Sequence, residues 1–310
     1  MRISNILAET IKGITPHDGV FLLSMRRVLI AVFACTILGG CASSAHQDRA
    51  QLLAPTAVSN VYSYADMQLL LATIPDSDDG CTESACVKRA EFDRRVTLAG
   101  ALLAEATYRS DPELAKRVPR FDFSVLDKEE PGTASTAGGD VVVLRPVSAI
   151  APADAALSFV LAREIGHVAL EHHEQNTAIS LVVSVLTSVL APVVNVTKLL
   201  AVVYSGATST AATASVTAAS FAGSRAVIES YRPQRLQEAD AFAMRLLARF
   251  GYDARDVTAG FAQADLQSPT NEWMRGLQAS VRRLAAHAER PELAQAAQHP
   301  ASMDAVAAAK

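Results

Sequence analysis

Between residues 155 and 174, apolar side chains recur at Leu157, Val160, Leu161, Ile165, Val168 and Ala169, while Arg163, Glu164 and His167 stand in the same run. The spacing is that of a helix laid on a core, and Pro152, Ala153 and Asp154 supply its start. Charge carried on so apolar a helix must be neutralised once the helix is buried, so this segment dictates what the rest of the chain brings to it. Two strands precede it. Residues 121–126 alternate, with Phe121, Phe123 and Val125 against Asp122 and Ser124. After a turn-rich stretch, Gly138, Gly139 and Asp140 lead into Val141, Val142, Val143 and Leu144, a strand with three β-branched residues in a row. Helical periodicity covers 62–74, 87–108, 234–250 and, in shorter pieces, 254–266 and 272–288, with breaks at 75–80 and at Gly251. A mainly helical α+β domain with a small sheet beside the long helix is expected.

The first forty residues read differently. Met25, Arg26 and Arg27 form a basic start, residues 28–38 an apolar run, and Gly39 and Gly40 a small-residue end. That is a signal peptide, too short to remain as a membrane-spanning helix, and Met1 and Met25 are both candidate starts. Leu38, Gly39, Gly40 and Cys41 resemble the bacterial lipobox, in which the cysteine is acylated and becomes the new N-terminus. The expected division is a signal peptide over 1–40, a tether over 41–57 and one globular domain over 58–310, with lipid on Cys41 as the membrane anchor. Ala42, where an aspartate would stand in inner-membrane lipoproteins, resembles outer-membrane sorting, so the expected location is the outer membrane, facing the periplasm. Cys81 and Cys86 then remain for the folded domain, and a small loop-closing disulfide is expected in an oxidising compartment.

Residues 1–40 hold four basic and two acidic groups, leaving 24 basic against 30 acidic in the rest. That acidic balance argues against a nucleic-acid partner. Residues 179–203 are the most apolar internal stretch. They suit buried core or a hydrophobic hairpin, a membrane-embedded hairpin, or an exposed partner surface. The Ala, Ser and Thr run over 206–223 suits close helix packing.

Arg163, Glu164 and His167 have the spacing of the zinc-peptidase motif HExxH, with arginine in the first place. In that motif the two histidines hold the metal and the glutamate deprotonates the metal-bound water. Several flanking segments recur in an order seen in one family: 121–127, 137–143, 161–173, Glu238-Ala239-Asp240 with Gly251-Tyr252-Asp253, and His299-Pro300. From roughly 62 to 307 the chain resembles peptidase family M48, the gluzincins that include the CAAX prenyl protease and periplasmic chaperone-proteases. The resemblance implies a gluzincin-like metallopeptidase fold with zinc as the metal of an active member. It matches Glu164 to the general base, His167 to a zinc ligand, Asp240 to a supporting carboxylate and His299 to a histidine reaching toward the reaction centre. It also implies that the strand over 140–144 is a free edge able to receive an extended peptide.

Two positions depart from the family pattern. A guanidinium has no lone pair, so Arg163 cannot ligate a cation. Leu236 stands where the family has its third ligand, a glutamate, and a one-residue shift would place Arg235 there. Glu238, or Glu171 one turn beyond His167, would be the substitutes in an altered ligand set. Arg163 is instead expected to pair with Glu164 or Asp240. The reading that follows is a catalytically impaired metallopeptidase-family lipoprotein that binds envelope proteins or extended peptides, with no cofactor assigned. An active zinc endopeptidase with altered ligands, serving envelope protein quality control, and a structural envelope lipoprotein are the alternatives.

Overall fold

The computed structural model describes residues 52–77, 80, 82–184, 186, 210–264, 266 and 268–288, of which 210–222 are described by backbone only. The signal segment, Cys41, most of the tether, Cys81, His299 and nearly all of the apolar stretch beyond 186 lie outside these residues.

Helix α1 (Thr56–Thr73) begins inside the expected tether, and α2 (Glu83–Ser110) follows the Asp-rich break. Cys86, in the first turn of α2, is disulfide-bonded. Helix α3 (Pro112–Arg117) is short. Asp111 caps it by accepting from the Leu114 amide, and Pro112 occupies the first turn, where no amide hydrogen is needed.

Strands β1 (Asp122–Leu126), β2 (Thr133–Ser135) and β3 (Asp140–Leu144) form a sheet in the order β1-β3-β2. β3 runs parallel to β1, with Phe123 opposite Val141, and antiparallel to β2, with Ala134 opposite Val142. This corrects the expectation that 140–144 is a free edge. Its run of valines is instead that of a central strand buried on both faces: Val141 and Val143 join the main core, while Val142 and Leu144 meet Met67 and Leu71 of α1. The edge strand on the helix side is β2. The turn from β2 to β3 needs Gly139 at φ 97°, where a Cβ would also lie 2.7 Å from the Arg120 carbonyl oxygen.

After α4 (Val147–Ile150), α5 (Asp154–Ala169) runs through the centre of the domain, and every one of its residues except Asp154 and His167 is buried. Each fully buried Leu, Ile or Phe contributes about 1.5–3 kcal/mol, so its first half, with Leu157, Phe159, Val160 and Leu161, anchors the core. The helix expected over 155–174 stops early. Glu171 has φ 60°, and helical backbone resumes at 172 and runs to 184. Arg117 supplies the reason, donating to the last carbonyls of α5 at Val168 and Ala169, both at 3.1 Å.

Helix α6 (Thr210–Leu247) is much longer than the periodicity indicates and contains Pro233. It crosses α5 at Gly166, where a Cβ would sit 3.0 Å from the Phe242 ring and 3.3 Å from the Ala239 carbonyl oxygen. A short 3₁₀ turn (Ala248–Phe250) ends at Gly251, and α7 (Ala254–Gly260) opens with a capping box from Asp253 and Asp256. Helix α8 (Glu272–Ala288) packs on α6 and α7. Among the described residues no helix is long and apolar enough to cross a membrane.

Candidate functional site

Helix α1, the C-terminal half of α5, the edge strand β2, the helical residues from 172 onward, α6 and the start of α8 line an open-mouthed cavity of about 470 Å³. Glu164 lies at its wall, 6% exposed. Its Oε1 accepts from the Thr133 hydroxyl at 2.6 Å and its Oε2 from the Ser135 hydroxyl at 2.9 Å. Each hydroxyl has one hydrogen, so each must receive from elsewhere. Thr133 accepts from the Trp273 indole N–H at 2.7 Å, and Ser135 from His173 Nε2 at 3.1 Å. His173 therefore carries a proton on Nε2, and burial, which lowers its pKa to about 3, keeps the ring neutral.

The second chain of contacts runs through histidines. His167 Nδ1 lies 2.8 Å from His172 Nδ1, and His172 Nε2 lies 3.2 Å from Glu238 Oε2. With His172 donating to Glu238, its bare Nδ1 accepts from His167, which leaves His167 Nε2 with a free lone pair. Burial holds both rings below the ordinary histidine value. On His167 the charges of Arg163 and Arg235 add to that effect, while on His172 the Glu238 hydrogen bond opposes it.

Arg163 is 2% exposed, and its Nε and Nη1 atoms have no hydrogen-bond partner. Its guanidinium carbon stands 6.0 Å from the Trp273 ring. The expected pairing with Glu164 or Asp240 is not made. Each Glu164 oxygen accepts from a hydroxyl instead, and Asp240 pairs with Arg283 of α8 at 2.5 Å. Glu171 turns toward Arg117 at 3.5 Å, and Glu238 toward His172 and Gln234. The structure thus brings Arg163, Glu164 and His167 around one cavity, with Glu238 joined to it through His172, and places Glu171 and Asp240 in ion pairs with arginines of α3 and α8. Sequence reasoning missed Thr133, Ser135 and Trp273 as parts of this site, and met Arg235 only as an alternative at the third-ligand position. Trp273, the chain's one tryptophan, was the nearest thing to a signal for them.

The sequence profile of peptidase family M48 matches residues 113–310, well over half of the chain. The chain belongs to peptidase family M48. No curated protein matches it. The M48 family is one of zinc-dependent metallopeptidases, so the fold is that of a protease, and the donor set can be tested against the metal. It does not fit. A tetrahedral zinc site takes three protein ligands and a water, and here the first position holds a buried cation and Leu236 lines the cavity at the third. Neighbouring Arg235, 8% exposed, donates to Asn176 and lies 5.8 Å over Tyr231, adding a second buried cation rather than a donor. Among the described residues no group of three His, Cys, Asp or Glu side chains is placed to hold a metal ion.

Proposed function

We propose that this family M48 chain is an outer-membrane lipoprotein, anchored through Cys41 and facing the periplasm, that binds extended segments of envelope proteins without cleaving them. The observation that carries this reading is Arg163, a permanent cation buried where the family places its first zinc ligand. A divalent ion brought beside it would meet repulsion rather than a lone pair. Glu164 supports the same reading. Both of its oxygens are engaged by Thr133 and Ser135, so the carboxylate acts as a structural acceptor joining α5 to β2. A binding role suits what remains, since β2 has β3 on one side only, and its residues Thr133, Ala134 and Ser135 line the cavity. An extended peptide can add to such an edge through main-chain hydrogen bonds while its side chains enter the cavity.

The deciding experiment combines elemental analysis of the purified full chain with a peptide-cleavage and peptide-retention assay on wild type and Glu164→Gln. Zinc well below one per chain, retention of unfolded envelope protein and no cleavage by either form are expected. Stoichiometric zinc together with cleavage that disappears in Glu164→Gln would overturn the proposal in favour of an active endopeptidase with an altered ligand set.

A further inference from the structure

Arg163 and Arg235 are both more than nine-tenths buried and both line the same cavity. Arg235 reaches a neutral amide oxygen on Asn176 and an aromatic face and feels the Glu238 charge, whereas Arg163 reaches only an aromatic face. Acidic groups at the rim are already engaged: Asp66 by Arg225, and Glu229 and Glu272 by Arg232. A buried guanidinium with unmade hydrogen bonds, as at Arg163, is costly unless an anion joins it.

We infer that the cavity binds a carboxylate, seated between the guanidinium groups of Arg163 and Arg235 beside His167. A carboxylate is planar and accepts in-plane N–H donors from a guanidinium, which makes it the natural partner for the unsatisfied Nε and Nη1 of Arg163. It carries a single charge, and that matters because Glu164 stands in the same wall and opposes a dianion such as hydrogen phosphate. The cavity falls within the range of about 300–1,000 Å³ typical of small-ligand sites, with room for the carboxylate and the residue that bears it. Two sources present this group, the free C-terminus of a peptide and an aspartate or glutamate side chain. The inference rests on the peptide-binding reading and adds the chemistry that such a peptide must carry.

Trp273 is the chain's only tryptophan and touches the same site, so its fluorescence reports on the cavity directly. The full chain would be titrated with N-acetyl-Ala-Ala-Leu bearing a free carboxylate, with the corresponding amide, with the amide of N-acetyl-Ala-Ala-Glu, and with inorganic phosphate. A saturable fluorescence change is expected for the two carboxylate peptides, with binding at least about tenfold weaker, about 1.4 kcal/mol, for the neutral amide. The stronger of the two acidic peptides identifies the source. Arg163→Met should abolish the preference for acid over amide, and Arg163→Lys should retain part of it. A thermal melt reports whether each variant folds, and Arg235→Gln gives an independent reading of the same loss. Equal binding of acid and amide, an undiminished preference in Arg163→Met, or tighter binding of phosphate would overturn the inference. Equal binding would leave the peptide-binding function standing. Zinc-dependent cleavage would remove that function without touching the difference between acid and amide.

Discussion

Arg117 and Arg163 lie against the same helix and have opposite surroundings. Arg117, on α3, donates to the Val168 and Ala169 carbonyls, pairs with Glu174 at 2.9 Å and approaches Glu171 at 3.5 Å. Arg163, one turn back on α5, is the more deeply buried of the two and satisfies nothing with its Nε and Nη1. The first closes the end of a helix and offsets part of the upward push that burial gives the Glu174 carboxyl. The second brings a charge into the interior with no protein group to receive it. In a domain stabilised by about 5–15 kcal/mol overall, an unpaired buried cation is not a stabilising device. The contrast sets a residue that serves the fold beside one whose charge the fold leaves unmatched.

The sharpest way to break that contrast is Arg117→Ala. It leaves Glu174 buried without its cation and should cost about 3–5 kcal/mol in a urea denaturation; a loss near zero would erase the distinction. Next comes pH. His167, His172 and His173 are all held below the ordinary value of 6.5, so as pH falls the unfolded chain takes up protons before the folded one does. Their stabilising effect is complete above pH about 6.5 and declines below it, for His173 down to pH about 3. Each contributes a slope of up to about 1.4 kcal/mol per pH unit. Unfolding midpoints at pH 7 and pH 5 should differ accordingly, and a flat profile would mean that these rings are not buried in the neutral form. Ser135→Ala should cost about 1–3 kcal/mol by chemical denaturation, because it strips both a carboxylate oxygen of Glu164 and the His173 donor. The smallest effect belongs to Arg163→Met, expected within about 1 kcal/mol of wild type or slightly stabilising. A loss on the scale of Arg117→Ala would show that Arg163 is structural after all.

β1 and α5 were legible because their apolar residues repeat with the period of a strand or a helix, and β3 because three β-branched residues stand in a row. β2 was not, since three residues are too few to display alternation, and Thr133-Ala134-Ser135 looks like any polar turn. With β2 hidden, the strand over 140–144 looked like an edge, although its consecutive valines fitted a centre. The full length of α6 was masked by an Ala, Ser and Thr composition without an apolar stripe and by Pro233, which sequence reasoning treats as a stop. Arg163, Glu164 and His167 could be singled out by motif spacing. Their partners could not, because the Thr133 and Ser135 hydroxyls lie 31 and 29 residues from Glu164 and no local pattern links them.

Glu171 is the one residue other than glycine with positive φ among those described, a conformation costing roughly 1–2 kcal/mol. In an unbroken helix, side chains five residues apart point about 140° away from each other, yet the His167 and His172 rings meet with centroids 5.0 Å apart. The corner at Glu171 folds the second helix back so that the two rings touch. Adding or deleting one residue there would rotate every following side chain by about 100°. His172, His173 and Glu174 would then exchange places, and the whole wall would lose its register at once.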